Sequence, residues 1–306
     1  MGLLITGISG FVGSNLSTYL NNSIEINGVL RNKTEGNISY YNITKEILYS
    51  YSGIVHLAGK SHDLKRTSKE DEYFKVNTEL TIKLFDMFLA SKFVLFIFIS
   101  SVKAVVDSLK GKLSENCVPD PRTAYGRSKL DAENYILSKN ISNKKVYILM
   151  PCMIHGPKNK GSLNALYSFV SKGIPYPFGR YNNLRSFLSI DNLCFVICSL
   201  LNKQNDIPSG IYNLADDQPI SSTKFVSIIG SSPSVPVRIW NLPKVIIKTF
   251  GLIGDFLPLP INSERIGKLT ENYVVSNDKI KASIGINELP LTGEQGLKKI
   301  IVSFNN

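Results

Sequence analysis

Leu3-Leu4-Ile5-Thr6-Gly7-Ile8-Ser9-Gly10-Phe11-Val12-Gly13 sets three glycines between a short apolar run and the start of a helical pattern. A strand that turns on glycines into a helix lets the backbone approach a pyrophosphate closely. The helix then offers unpaired N–H groups and the positive end of its dipole to that anion. The stretch therefore predicts a dinucleotide site at Gly7, Gly10 and Gly13, heading an α/β chain. The next strand ends in Val29-Leu30-Arg31-Asn32-Lys33, with no carboxylate. An acidic residue there would hold a ribose 2′-hydroxyl, whereas a basic one accommodates a 2′-phosphate. The expected cofactor is NADP(H) in preference to NAD(H), with Arg31 its main determinant and Lys33 secondary. The alternative is a solvated surface arginine.

Working outward, strands are expected at Gly2–Thr6, Ile26–Leu30, Gly53–Leu57, Val94–Ser100 and Lys145–Met150. Helices are expected at Val12–Leu20, Asp71–Ala90 and Ala124–Lys139. Strands alternating with helices at this spacing imply right-handed crossovers and a parallel sheet covered on both faces. The continuous apolar run Phe93-Val94-Leu95-Phe96-Ile97-Phe98-Ile99 fits a strand buried on two sides. After Pro151 prolines and glycines recur, then a strand at Ser186–Ile190 leads into a helix at Asn192–Leu201. The predicted architecture is a Rossmann-type doubly wound parallel sheet with a smaller α/β C-terminal substrate domain. Residues 1–160 and about 187–213 would bind the dinucleotide; about 161–186 and 214–306 would form the substrate domain.

Tyr125-Gly126-Arg127-Ser128-Lys129 opens one of these helices. Residues four apart share a helix face, so the phenol and the ammonium point into one site. A phenol with a pKa of about 10 needs help to exchange protons near neutrality. A neighbouring Lys129 and an oxidised nicotinamide are expected to lower it. Upstream, Phe98-Ile99-Ser100-Ser101 ends a strand at the carboxyl edge of the sheet, where ligands bind in open α/β folds. Ser101 is the candidate partner of the reacting oxygen; a serine capping a turn is the plainer reading.

These residues together resemble the extended short-chain dehydrogenase/reductase superfamily, in its nucleotide-sugar epimerase, dehydratase and reductase branch, over nearly the whole chain. His56-Leu57-Ala58-Gly59 is similar to the family's fourth-strand motif, and Val76-Asn77-Thr78 to its structural asparagine segment. Pro151 through His155-Gly156-Pro157 resembles the segment lining the nicotinamide. Arg185-Ser186-Phe187-Leu188-Ser189-Ile190-Asp191-Asn192 resembles the segment whose arginine binds the substrate diphosphate. The resemblance implies catalysis by Ser101, Tyr125 and Lys129. It implies cofactor contacts from Gly7, Gly10, Phe11, Val12, Gly13, Arg31, Asn42, Ile43, Leu57, Ala58, Gly59, Asn77, Tyr125, Lys129 and Pro151. Lys60, His62, Lys103, Asn164 and Arg185 are the implied substrate contacts. A solvated lysine at 103, a loop histidine at 62 and a surface arginine at 185 are the plainer alternatives. Departures from the family pattern are Met150 in place of arginine, His155 in place of tyrosine, and Asn42-Ile43 in place of an acidic residue near the adenine.

Three reactions compete within this branch. The 4,6-dehydratases carry an Asp-Glu pair just after the active-site hydroxyl, where this chain has Val102-Lys103, so dehydration is disfavoured. Between 4-epimerisation and 4-keto reduction, Arg31 favours the latter. So does resemblance, through Ser100-Ser101-Val102-Lys103, Lys60-Ser61-His62 and Gly173-Ile174-Pro175-Tyr176-Pro177, to bacterial reductases that finish UDP-N-acetylquinovosamine. Their substrate is a UDP-2-acetamido-2,6-dideoxy-4-keto sugar for surface polysaccharide. UDP-glucose or UDP-N-acetylglucosamine 4-epimerisation stays open, as does, more remotely, a non-catalytic NADP-binding sensor or scaffold.

The bulk properties restrict the remaining classes. Of 306 residues 43% are hydrophobic and 19% charged, as in a globular protein. The net charge of +11 is spread along the chain without a basic block or aromatic interleaving, so nucleic acid is not expected as a partner. No apolar run is long enough to span a bilayer, and neither a membrane partner nor a signal peptide is expected. The four cysteines (Cys117, Cys152, Cys194, Cys198) have no metal-like spacing, no metal is expected, and a reduced, cytoplasmic setting follows. By resemblance the protein forms a homodimer through the helices at Asp71–Ala90 and Ala124–Lys139.

Overall fold

The computed structural model describes residues 2–20, 24–30, 37–39, 43, 51–61, 69–109, 111–141, 143–157, 159, 162–231, 237–256 and 262–305. The first half alternates as the hydrophobic pattern requires: β1 (Gly2–Thr6), α1 (Phe11–Leu20), β2 (Glu25–Leu30), β3 (Asn37–Ser39) and β4 (Tyr51–His56). A helical run follows, α2 (Glu70–Tyr73), a π-helical segment Phe74–Glu79, and α3 (Leu80–Leu89). Then come β5 (Leu95–Ile99), β6 (Lys112–Leu113), α4 (Ala124–Leu137), β7 (Lys145–Pro151) and β8 (Met153–His155). The second half contains α5 (Ser162–Ser171), β9 (Leu184–Arg185), β10 (Phe187–Ser189), α6 (Ile190–Asn202), β11 (Gly210–Leu214) and β12 (Ile220–Ser221). It closes with α7 (Ser222–Ile229), α8 (Lys244–Phe256), α9 (Ser263–Thr270), β13 (Val274–Val275), α10 (Asp278–Ile284) and α11 (Gly293–Asn305).

Seven strands form one sheet in the order β3-β2-β1-β4-β5-β7-β11, every pair parallel. The chain starts in the middle and winds outward both ways, so β1 and β4 splay their loops apart and open a crevice at their carboxyl ends. All five residues of β5 are buried. Phe96 stacks edge-on against Phe85 at 5.1 Å and lies 5.2 Å from Phe88, tying α3 to the sheet. Burying a phenylalanine in this way contributes about 2–3 kcal/mol. The helices flank the sheet, with α1 against α6 and α3 against α4.

Among the described residues two hydrophobic clusters are present. One contains the sheet and its helices. The other gathers Leu163, Val170, Tyr176, Phe178, Phe187, Phe225 and Leu297 among others, from the second half of the chain. Within this half β9 pairs with β12, while β10 with β8 and β13 with β6 connect it to the first half. Among the described residues no helix is long and apolar enough to cross a membrane.

The expected strands and helices appear within a few residues of their predicted ends, with one difference of substance. The run expected as a regular helix over Asp71–Ala90 widens to π geometry at Phe74–Glu79. The extra residue per turn carries Asn77 inward, where it is fully buried.

Candidate active site

The glycine turn sits at the end of β1. Gly7 has φ +70°, and a Cβ there would lie 2.8 Å from Ala58 N and 3.1 Å from Leu57 C. Only glycine suits both the left-handed backbone and the close approach. A Cβ on Gly13 would lie 2.6 Å from Ile8 Cα, so α1 is drawn onto the turn itself. Gly10 N donates to Gly7 O at 2.9 Å, closing the loop before Phe11 and Val12 begin the helix. The first N–H groups of α1 have no intrahelical acceptor. This cradle is what a pyrophosphate needs, and the residues present fit a dinucleotide. Leu57 and Ala58 back directly on the turn, with Leu57 N and Ala58 N both donating to Thr6 Oγ1 at 3.2 Å, and Gly59 follows beside Asn77 and Lys129. Pro151 ends β7 in the buried interior, and Ile43 is buried. Arg31, Lys33 and Asn42 lie outside the described residues.

The catalytic candidates converge beside it. Thr123 caps α4 by accepting from Gly126 N at 3.2 Å, and is itself held by Asp107. That start places Tyr125 in the first turn, its hydroxyl hydrogen-bonded to the buried Ser101 side chain. Ser101 begins a short 3-10 turn, Val102–Ala104, accepting from Lys103 N at 3.2 Å. One turn further along α4, Lys129 is buried. Its Nζ donates to Ile99 O at 2.9 Å and lies 4.7 Å from the centre of the Phe98 ring. A Cβ on Gly59 would come within 3.2 Å of that Nζ, so the glycine makes room for it. Asn77 braces the same corner, accepting from Lys60 N at 2.8 Å and donating to Lys60 O and Ser128 Oγ at 3.0 Å each.

The electrostatics differ from expectation at the tyrosine. Burial raises the Tyr125 pKa above its ordinary 10, against the pull of the Ser101 hydrogen bond, and Glu133 and Tyr73 push the same way as burial. Lys129 does not offset this, because its ammonium is turned toward Ile99 and the Phe98 face. Burial instead lowers Lys129 to about 8, with Glu133 pulling it back up. The unliganded phenol is therefore held protonated.

Three groups were not singled out in the sequence. Glu133 is buried, hydrogen-bonded to Ser100 Oγ, and burial pushes it up to about 7. It continues the Tyr125, Lys129 spacing by one more turn, a signal legible in the chain. His56 bonds Thr6 Oγ1 at 2.6 Å and Thr81 Oγ1 at 2.9 Å. Burial, then the charge of Lys129, lowers it to about 3, so it is a neutral strut. Thr6 completes that strut, and no local pattern marks it.

The substrate candidates are less closely gathered. Arg185, half-buried, pairs through its backbone with Ile220 and Tyr273. The charge of its guanidinium is felt at Cys152, which follows Pro151, so it belongs to the same end of the sheet. Lys60 pairs with Glu72 and stands 5.6 Å from the Tyr73 ring. Lys103 Nζ donates to Asp107 O at 2.5 Å and lies 4.3 Å over the Tyr273 ring, which gives that lysine a structural anchor. His155, at the family's tyrosine position, is buried 3.3 Å from Asp216. Asn164 falls within α5 with its side chain outside the described set, and His62 lies outside it entirely.

A sequence profile of the NAD dependent epimerase/dehydratase family matches residues 3–215. The chain is 30% identical to a UDP-glucose 4-epimerase of Vibrio cholerae over 99% of this chain and 95% of that protein. It is 30% identical to a UDP-2-acetamido-2,6-beta-L-arabino-hexul-4-ose reductase of Pseudomonas aeruginosa, over 44% of this chain and 31% of that one. Among solved structures, MoeE5 in complex with UDP-glucose and NAD superposes with a TM-score of 0.77 at 20% identity, covering 100% of this chain and 99% of its own. RMD from Pseudomonas aeruginosa complexed with NADPH superposes at 0.73 and 19% identity, covering 100% of both chains. At these identities the structures speak for the fold alone.

Proposed function

The chain belongs to the NAD dependent epimerase/dehydratase family, and from that premise we propose that it reduces the C4 carbonyl of a UDP-linked 2-acetamido-2,6-dideoxy-4-keto sugar with NADPH, in surface polysaccharide assembly. The observation that carries this reading is the hydrogen-bonded Tyr125–Ser101 pair beside buried Lys129 at the carboxyl edge of the sheet. When bound, the nicotinamide supplies or accepts hydride. Tyr125, protonated because burial raises its pKa, is poised as general acid: its proton goes to O4 as hydride reaches C4. Ser101 orients the same oxygen. Lys129, anchored under Gly59, is placed to hold the cofactor's ribose, and the Gly7–Gly13 turn its pyrophosphate. Arg185 is the candidate for the substrate diphosphate, since a guanidinium fork matches phosphate oxygens. Val102-Lys103, and no carboxylate pair, directly follow Ser101, which argues against elimination of water.

The cofactor preference rests on Arg31, and Arg31→Asp tests it: affinity for NADPH should fall relative to NADH, and an unchanged ratio would remove the assignment. A homodimer through α3 and α4 is part of the same reading. So is a division into a dinucleotide part (1–160 and about 187–213) and a substrate part (about 161–186 and 214–306), although Tyr273, Val275, Ile280, Ile284 and Leu289 pack with the sheet's own cluster and Phe187 with the other. The four cysteines are free, which favours a reducing, cytoplasmic setting.

One observation favours a second reading, 4-epimerisation of UDP-glucose or UDP-N-acetylglucosamine: the near full-length similarity to the Vibrio cholerae protein. Incubation with UDP-4-keto sugar and NADPH, and separately with UDP-glucose and UDP-N-acetylglucosamine, separates the two. The reductase consumes one NADPH per sugar. An epimerase converts the second pair of substrates with no net change of cofactor.

A further inference from the structure

Helix α8 (Lys-Val-Ile-Ile-Lys-Thr-Phe-Gly-Leu-Ile-Gly-Asp-Phe) lies far from the chemistry in the chain and has an unusual distribution of side chains. Ile247, Gly251 and Gly254 are its buried residues. A Cβ on Gly251 would come within 2.8 Å of Ile266 Cδ1 and 3.3 Å of Ser263 Cα, so the glycine lets α8 lie directly on α9. This packing fixes the rotation of the helix, because turning it would drive a large side chain into that contact. The outward face is consequently apolar by construction. Val245 is 74% exposed, Phe250 57%, Leu252 57% and Phe256 88%, with Ile246 and Ile253 also exposed. At 100° per residue these six occupy one arc of about 160°, interrupted only by Thr249.

The charges of the helix keep to the strip between that arc and the buried face, where Lys244, Lys248 and Asp255 fall. Asp255 is engaged, its Oδ1 accepting from Ser263 N at 3.0 Å at the start of α9. The edge is thus dominated by lysine, with Arg238 exposed just upstream, in a chain of net charge +11. An apolar arc bordered by lysines matches a helix lying in the plane of a lipid interface, its rings among the acyl chains and its ammonium groups reaching the headgroups. A second copy of this face would set Lys244 and Lys248 against their own kind with only Asp255, already engaged by Ser263 N, to answer them, which disfavours self-association here. We propose that α8 seats the protein on an anionic phospholipid surface, without spanning it. This departs from the expectation of no membrane partner and is independent of which sugar reaction the protein performs.

The test is flotation of the full chain with vesicles of phosphatidylcholine alone or doped with phosphatidylglycerol. Trp240, the single tryptophan and half exposed four residues before the helix, is a built-in reporter. Binding to the anionic vesicles, weakening with salt and accompanied by a blue shift of Trp240 emission, is the expected result. Phe250→Glu with Phe256→Glu should abolish flotation while leaving turnover in solution intact. Lys244→Glu with Lys248→Glu should weaken it roughly tenfold or more. A wild-type chain that stays in the aqueous layer with both vesicles overturns the proposal. So does flotation unaffected by the phenylalanine pair, or binding with no change at Trp240. Loss of a concentration-dependent dimer in the phenylalanine variant, without lipid binding by the wild type, would assign the face to a second copy instead.

Discussion

At Tyr125 burial, seconded by Glu133 and Tyr73, outweighs the Ser101 hydrogen bond, so the proton stays on the phenol until well above neutrality. That state suits delivery of a proton to a carbonyl oxygen and makes the hydroxyl the indispensable atom. Tyr125→Phe should lower kcat for reduction by about 10²–10⁴ while NADPH binding, followed by its fluorescence, is unchanged; a loss under tenfold would remove the tyrosine from the chemistry. Glu133 makes a separate prediction. Burial raises its carboxyl from 4.5 to about 7, so the native state holds a proton that the unfolded chain releases. Stability contributed by the neutral carboxyl is complete below about 4.5 and declines as pH climbs to about 7. Glu133→Gln should remove that decline and keep the Ser100 hydrogen bond. Urea unfolding of both proteins at pH 5 and 7.5 checks it, and parallel pH dependence would mean that Glu133 titrates normally.

Among the elements, the β1–α1 turn is the tightest constraint. A methyl at Gly13 meets Ile8 Cα at 2.6 Å and the carbonyl of Gly7, both backbone, which cannot swing aside. Gly13→Ala should therefore cost about 1–3 kcal/mol and weaken dinucleotide binding at least tenfold. Gly267→Ala, in α9 with open space around it, should change neither. If both variants bind NADPH equally, the turn is not the cofactor's cradle. This turn was readable from the sequence because glycine, strand and helix signals coincide within eleven residues. The π segment Phe74–Glu79 was not, since a one-residue widening leaves the apolar periodicity almost intact. Its sign is only seen when Asn77 is found bonded to Lys60 and Ser128.

On the scale of the whole molecule, the parallel, doubly wound sheet followed from alternating strands and helices; the order of its strands did not. The site was legible to the extent that it is local: Gly7–Gly13, and Tyr125 to Lys129 within two turns of α4. Contacts joining distant segments were not. Ser100 to Glu133 spans 33 residues and Thr6 to His56 spans 50, and nothing in either short segment names its partner. Lys103 shows the converse, since its anchor on the Tyr273 ring depends on a residue 170 positions downstream. The apolar arc of α8 was hidden for a related reason, because only packing on α9 decides which of its apolar residues face outward.

The central claim, a one-way hydride delivery to C4, is tested most directly by NADPH deuterated at the transferring position of its nicotinamide. With a UDP-4-keto sugar, the product should carry one deuterium at C4 for each NADPH oxidised, and Tyr125→Phe should slow its appearance without redirecting it. A keto sugar left unreduced with no NADPH oxidised, while UDP-glucose or UDP-N-acetylglucosamine is converted to its 4-epimer without gaining deuterium, would contradict the claim.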